Sequence, residues 1–238
     1  MVVFTQIFKS FPYEFKVIVI LTFMTLVTFI IPTIGRETLL RAVDSLYNQT
    51  IWDWKAIIVF DGIKPTVDIS DPRITVTQCE KAGTGEIVNG QQKNNGAGQV
   101  RNYGIKLADT EWIAFLDDDD SLSPTYLDSF YNEIHNVYAV DAILFRMRHP
   151  EYGILPKTSS VDLVRYECGI SFATKRKIFT DGLWFESSYE EDYNLLCKIK
   201  DKGYKMVMSP YVKYYVDGLV ANDIDPEKGR RILINPGK

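Results

Sequence analysis

An apolar run, Trp112-Ile113-Ala114-Phe115-Leu116, ends in four consecutive aspartates, Asp117-Asp118-Asp119-Asp120. A stretch rich in aromatic and branched residues reads as a buried strand. Four carboxylates at its exit repel one another and cost solvation if buried. Positive charge is therefore expected there, and a divalent cation carrying phosphates meets the requirement. The plainer alternative is a solvated acidic turn leading into the next helix.

The rest of the chain alternates strands with helices. Residues 26–31 read as a strand ending at Pro32. Residues 37–48 read as a helix with Leu39, Leu40, Val43, Leu46 and Tyr47 on one face. Further strands are expected at 54–60, 73–77, 112–116, 141–147, 168–174 and 204–208, and helices at 100–108, 124–136 and 190–202. Residues 80–98, rich in Gly, Asn, Gln and Lys, read as a mobile loop. This order implies an α/β sheet, largely parallel at its N-terminal end. Ligands of such sheets bind outside the carboxyl ends of the strands. Thr33, Asp61 and the aspartate run all collect there.

Composition excludes several classes. The 238 residues are 46% hydrophobic and 24% charged, with a net charge of −4, so a nucleic-acid backbone is not an expected partner. Cys79, Cys168 and Cys197 lie far apart, in neither a zinc nor a disulfide pattern, which points to a reducing, cytoplasmic setting. His135 and His149 are too few for a histidine-based metal site. The apolar residues 17–31, preceded by Lys9 and Lys16, resemble a signal sequence or short anchor. As a helix they span roughly 22 Å, short of a ~30 Å hydrocarbon core. A strand from about Leu26 also claims their second half. The expectation is an accessory extension at 1–23, peripheral to a membrane at most, and a single domain over 24–238.

Several segments together carry a resemblance. Ile30-Ile31-Pro32-Thr33-Ile34-Gly35-Arg36, Leu46-Tyr47-Asn48-Gln49-Thr50 and Ile57-Ile58-Val59-Phe60-Asp61-Gly62 resemble the start of family 2 glycosyltransferases. Gly98-Gln99-Val100-Arg101-Asn102-Tyr103-Gly104-Ile105 resembles that family's arginine-asparagine segment. Phe115 to Asp120 resembles its Asp-x-Asp motif, and Glu191-Asp192-Tyr193-Asn194-Leu195 its late Glu-Asp motif. The match covers about residues 26–210, and the compact form resembles virus-encoded sugar transferases. Two departures stand out: Phe60 occupies a place that is often acidic, and no late histidine is available as a further metal ligand.

The resemblance implies a GT-A fold, a mainly parallel mixed sheet flanked by helices. It also implies transfer of a sugar from a nucleotide-sugar donor, UDP-linked by expectation, to a glycan or glycoconjugate acceptor, with inversion and with Mn2+ or Mg2+. On that basis Asp119 is the expected main metal ligand and Asp117 the second, since alternate residues of an extended segment share a side. Asp118 then faces away, towards the ribose, and Asp120 caps a helix near 121–124. Thr33, Asp61 and Arg101 are expected at the nucleotide, Asp61 accepting from a base N–H. Asn102 is expected to hold its loop. Asp192 shares a helix stripe with Leu195, Leu196 and Ile199 and is expected to be the general base; the alternative is a helix cap. Trp184 and Tyr189 are candidates for stacking on acceptor sugars, with core packing the alternative.

Other readings compete. Asp117-x-Asp119-x-Ser121 approximates the nucleophile motif of haloacid-dehalogenase-like phosphatases, although that motif normally lies on a first strand. A nucleotidyltransferase would need a Gly-rich phosphate loop that residues 32–36 do not supply. A non-catalytic sugar- or calcium-binding module would have no use for Asp192.

Overall fold

A computed structural model describes residues 2–7, 16–21, 25–82, 87–88, 91–92, 96–217 and 230–234. In chain order the elements are β1 (Val2–Ile7), β2 (Lys16–Leu21), β3 (Val27–Thr33), α1 (Leu39–Tyr47), β4 (Trp54–Asp61), β5 (Ile74–Cys79), β6 (Ile87–Val88), β7 (Gln91–Gln92) and α2 (Ala97–Leu107). There follow β8 (Trp112–Phe115), β9 (Ser121–Leu122), α3 (Tyr126–Asn136), β10 (Ala142–His149), β11 (Gly153–Leu155), β12 (Phe172–Lys175), α4 (Lys177–Thr180), α5 (Glu191–Asp201), β13 (Met206–Tyr215) and β14 (Ile232–Ile234).

A ten-stranded mixed sheet runs in the order β14-β13-β10-β12-β8-β3-β4-β5, with β11 and β9 paired at its side. The strands β8, β3, β4 and β5 are parallel neighbours. β12 is antiparallel to both β8 and β10, so β10 and its parallel partner β13 run the same way as β8. Six strands thus end at one edge of the sheet, and the loops that leave them share one face of the molecule.

The first strand of this sheet continues past the expected stop. Pro32 lies inside β3, paired with Val59. Proline has no N–H to give a ladder. The pairing with β8 ends at Ile30, whose carbonyl accepts from Leu116 N. The Pro32 nitrogen therefore faces a side where no strand remains.

Helix α1 buries Leu39, Ala42, Val43, Ser45 and Leu46. Leu40 and Tyr47, expected on the same face, point to solvent. The stripe is one residue out of phase with the expectation because Ala42 and Ser45, small rather than strongly apolar, fill the contact. The buried Gln49 amide donates to Ser123 O at 2.7 Å and accepts from Leu127 N at 3.1 Å, tying the end of α1 to the start of α3. Helix α2 lies close on the sheet, where a Cβ at Gly104 would stand 2.7 Å from Ile30 Cγ2. Only glycine permits that approach. Phe115 is enclosed edge-on by Phe172 and Phe185, with centroids at 5.1 and 5.2 Å. Its burial fixes β8 and hence the point at which the aspartates leave the sheet.

β1 and β2 pair antiparallel, so residues 16–21 form a strand rather than the short helix of an anchor. No helix among the described residues is long and apolar enough to cross a membrane. Part of the expected loop at 80–98 lies outside the described residues; within it β6 and β7 form a short ladder.

Candidate active site

The candidate residues meet at the shared strand edge in two linked groups. In the first, Asp118 is buried and fully engaged. Its Oδ2 accepts from Thr33 Oγ1 at 2.5 Å and its Oδ1 from Arg36 Nη1 at 2.6 Å. Thr33 Oγ1 in turn accepts from Gly35 N at 2.9 Å. Arg36 also lies 3.2 Å from Asp119 Oδ2, and Arg41 Nη2 donates to the Asp119 carbonyl at 2.5 Å. Arg36 closes the 30–36 segment that carries the resemblance but was assigned no role there, and Arg41 had no distinguishing mark in the sequence.

The Asp117-to-Asp120 segment is not extended. Asp120 N donates to Asp117 O at 3.2 Å and closes a turn. The expected alternation of Asp117 and Asp119 on one side therefore has no backbone basis. Asp117 turns to Arg101, and Asp119 turns to Arg36. Asp118, expected to face a ribose, is instead held by Thr33 and Arg36. Asp119 is more open than Asp117 or Asp118, its side chain 38% exposed. Burial pushes its pKa up; Arg36 opposes this, and Asp117 and Asp118 add to it.

Asp120 does not cap a helix. Ser121 and Leu122 pair with β13, and α3 begins only at Tyr126. The Asp120 carboxylate accepts from Asp217 N at 2.8 Å. Burial and then Asp117 raise its pKa to about 8, against the hydrogen bonds from Asp217 and Tyr214. Tyr214 is buried on β13, and its hydroxyl also accepts from Asp117 N at 3.0 Å. This tyrosine braces both ends of the aspartate run. A lone tyrosine far along the chain offers no sequence signal of that role.

The second group is built around Arg101 on α2. Its Nη2 lies 2.7 Å from Asp117 Oδ1, and its Nη1 lies 3.1 Å from Glu191 Oε1 and 3.3 Å from Asp192 Oδ1. The side chain is buried, and although burial lowers its pKa, Asp117, Asp192 and Glu191 together raise it above the ordinary value. Arg101 was expected to reach a base or phosphate. Its guanidinium is sealed among carboxylates instead, because the α2 face that carries it packs on the start of α5. Gly98 permits this packing: a Cβ there would stand 3.0 Å from Phe185 Cβ and 3.2 Å from Glu191 Cγ. Asn102 completes the joint, donating to Phe185 O at 2.9 Å and accepting from Phe185 N at 3.1 Å.

Asp192 lies in the first turn of α5, one position inside the helix start, and Glu190 occupies the cap position. The capping alternative for Asp192 is thereby removed. Burial raises its pKa to about 7; Arg101 opposes the shift, and Glu191 and Asp117 support it. Glu190, two residues before Asp192, is neutralised by a two-bond pair with Arg165. A half-buried carboxylate that titrates near neutrality suits proton transfer.

On the β4 side, Asp61 is buried and its Oδ1 accepts from Ala82 N at 2.6 Å. Gly62 follows in the left-handed region at φ +69°, where a Cβ would meet Lys81 Cβ at 2.5 Å. A cleft of about 1170 Å³ opens beside this turn, lined by residues that include Gly62, Cys79, Lys81, Gln99, Lys106 and Trp184. The cleft flanks the Asp61 end of the site rather than the aspartate run. Trp184 packs partly against Phe179 at 5.6 Å and carries Lys106 Nζ 5.6 Å from its ring centre. Tyr189 is exposed and lies elsewhere, just ahead of α5.

Among the described residues no three acidic, histidine or cysteine side chains form a ready-made cation cage. A nucleotide-bound magnesium or manganese needs only one or two carboxylates, the phosphates and water supplying the rest. Asp119, partly open and with its pKa raised among other carboxylates, fits that part, and Asp117 stands nearby.

The model of the Glycosyl transferase family 2 matches residues 28–185. The chain is 37% identical over 101 residues to "Putative glycosyltransferase EpsH" of Bacillus subtilis, covering 42% of this chain and 28% of that protein. It is 29% identical over 168 residues to the same organism's "Minor teichoic acid biosynthesis protein GgaB", covering 67% of this chain and 17% of that one. The chain thus spans well under half the length of these curated relatives. Among solved structures, S. aureus TarS 1-349 in complex with UDP-GlcNAc superposes with a TM-score of 0.63 at 18% identity, over 83% of this chain and 60% of that one. The mannosyltransferase PcManGT from Pyrobaculum calidifontis, in complex with GDP-Man and Mn2+, gives 0.55 at 17%, over 82% and 58%. The fold is GT-A-like, and with a family match over residues 28–185, which take in most of the described sheet, the Asp118 group and Arg101, the chain belongs to glycosyl transferase family 2.

Proposed function

We propose that this protein is an inverting glycosyltransferase that moves a sugar from a UDP-linked donor to a hydroxyl of a glycan or glycoconjugate. The observation that carries the reading is the bridge from Asp117 at the exit of β8, through Arg101, to Asp192 at the start of α5. It holds a carboxylate for the leaving group and a near-neutral base on one rigid frame.

Thr33, Asp61 and the cleft beside Gly62 would receive the nucleotide. A Mg2+ or Mn2+ ion held by Asp119 and Asp117 would neutralise charge on the departing diphosphate. Asp192 would take the proton from the acceptor hydroxyl as its oxygen bonds to the anomeric carbon and the bond from that carbon to the diphosphate oxygen breaks. Attack opposite the leaving group inverts the centre, and Asp192 then returns its proton to water. Arg101 does not touch substrate in this scheme; it orients both carboxylates. A UDP-linked donor is supported by the likeness to a fold neighbour that holds UDP-GlcNAc, and a metal by one that holds Mn2+.

The test is calorimetry with UDP and GDP, each with and without Mn2+, followed by transfer assays with the matching nucleotide-sugars. Metal-dependent UDP binding and an inverted product support the reading. Phosphoester hydrolysis without any nucleotide-sugar would support the phosphatase alternative.

A further inference from the structure

Three tyrosines stand in water, two of them, Tyr166 and Tyr189, at the start of α5. Tyr152 is 61% exposed, Tyr166 72% and Tyr189 66%. Tyr189 precedes α5 by two residues and Asp192 by three. Tyr152 sits at the tip between β10 and β11, its ring stacked on His149 at 4.6 Å. Tyr189 is close enough to contribute to the electrostatics at the Tyr152 hydroxyl, behind the larger effect of Glu151. Tyr166 lies 5.1 Å from the Arg165 guanidinium, which is bonded twice to Glu190, the residue after Tyr189.

The support beneath these rings is built rather than incidental. Tyr166 has φ +66°, a conformation that side-chain-bearing residues other than Asn and Asp seldom adopt. Such a residue persists only where its surroundings hold it, and outliers of this kind gather at functional sites. Here the holding groups flank it: Arg165 is locked to Glu190, and Glu167 accepts from Lys157 N at 3.0 Å and Ser160 Oγ at 2.7 Å. The buried Arg146 on β10 donates to the Lys157 carbonyl at 2.7 Å, fastening the same loop to the sheet. Conformational cost is borne while a large ring is left in solvent, which folding alone does not require.

We propose that Tyr152, Tyr166 and Tyr189 form the surface on which the acceptor carbohydrate lies, its sugar faces stacked on the rings and its reactive hydroxyl turned to Asp192. The proposal rests on the transferase reading above. A pyranose has an apolar C–H face and a hydroxyl rim. Exposed rings tipped with hydroxyls and bordered by a neutralised Arg165–Glu190 pair match both parts. An anionic membrane surface would call for a net basic patch, and here Arg165 is already paired while Glu151 adds negative charge.

The experiment uses the full chain and three defined probes, cellohexaose, chitohexaose and mannohexaose, read by saturation-transfer NMR and by titration. At least one probe is expected to bind, with strongest saturation on its ring C–H protons. Replacing Tyr152, Tyr166 or Tyr189 by alanine should weaken that binding about three- to tenfold each. Phenylalanine at the same places should restore most of it. Tyr138→Ala, at an 88% exposed position before β10 at the opposite sheet edge, serves as the control. Exposed positions keep the fold intact, which melting curves of each variant verify. Binding by none of the probes, or binding unchanged in all three alanine variants, overturns the proposal. So does loss of self-association or of vesicle binding, rather than of sugar binding, in those variants. Metal-dependent UDP binding, measured on the same samples, tests the transferase reading separately: its absence with tyrosine-dependent sugar binding intact would remove the enzyme and leave the surface.

Discussion

Arg101 Nη1 lies 3.3 Å from Asp192 Oδ1 while its Nη2 lies 2.7 Å from Asp117 Oδ1, so one buried cation spans the two ends of the site. Removing it leaves three carboxylates, Glu191 buried and Asp117 and Asp192 partly so, facing one another without a counter-charge. Breaking a buried pair from one side typically costs about 3–5 kcal/mol. Arg101→Met should therefore lower the melting temperature sharply. Arg101→Lys keeps the charge but not the fork. It should fold near normally and lose turnover by more than tenfold, with UDP affinity changed much less. A UDP affinity that falls in step with turnover in Arg101→Lys would favour direct nucleotide contact instead.

Asp192 should set the pH dependence of transfer. Its pKa is raised to about 7, so the base form, and with it the rate, should rise with pH through neutrality. The stability effect has the opposite sign. Between the ordinary 3.8 and about 7 the folded state holds more protons than the unfolded one, so this group's contribution falls as pH rises through that window. Asp192→Asn cannot titrate. Its stability relative to the parent should improve from pH 4 to pH 8, while turnover drops about 10²–10⁴-fold. Paired thermal melts and rate profiles measure both. A variant less stable than the parent at high pH would assign Asp192 a structural role.

The sheet was legible because its strands are strongly apolar and its helices periodic. The strand at Trp112 to Phe115, the helix carrying Asp192, Leu195, Leu196 and Ile199, and the parallel start of the sheet all follow from local pattern. What pattern could not supply were the partners. Arg101 reads as an arginine on a helix until α2 is seen against α5, 90 residues away. Tyr214 stands 97 residues from Asp117. The turn at Asp118 and Asp119 also defeats a strand-period argument, because Thr33, Arg36 and Arg41 draw these two residues in. Long-range ion pairs decide such a site, and they leave no periodic trace.

Neighbouring aspartates should separate cleanly by mutation. Asp119→Ala removes the most open carboxylate and should abolish the metal dependence of UDP binding while leaving the melting temperature almost unchanged. Asp118→Ala strips Thr33 and Arg36 of a buried partner. A loss of about 1–3 kcal/mol is expected there, seen as a lower denaturation midpoint. Calorimetry with UDP and Mn2+ and a denaturant titration on both variants decide the matter. Equal effects of the two would mean that they act as one cluster.

Residues 1–23 should be dispensable. The large sheet starts at Val27, and the first main-chain bond into it nearby is Trp112 N to Leu26 O at 2.9 Å. We propose that the segment before it is an accessory extension. A chain starting at Met24 should fold with an unchanged melting temperature and keep its turnover. A truncated protein that is folded but inactive would show that the extension contributes to the site.

Tyr214→Phe tests the brace behind the aspartate run. The hydroxyl accepts from Asp117 N and bonds to the Asp120 carboxyl, both shielded from water. Phenylalanine keeps the ring in the core, so any effect belongs to the hydroxyl alone. Leaving a buried donor unsatisfied costs about 1–3 kcal/mol. That loss should appear in the denaturation midpoint at every pH. A second effect should depend on pH, because the Tyr214 hydroxyl favours the ionised form of Asp120. Without it the Asp120 pKa climbs above about 8, so the folded state holds that proton further into the alkaline range. The variant's stability should then fall more steeply than the parent's between pH 8 and pH 9. Turnover should drop as well, since Asp117 loses the bond that fixes its backbone beneath Arg101. Stability curves that stay parallel through that range would mean that Asp120 does not titrate against Tyr214.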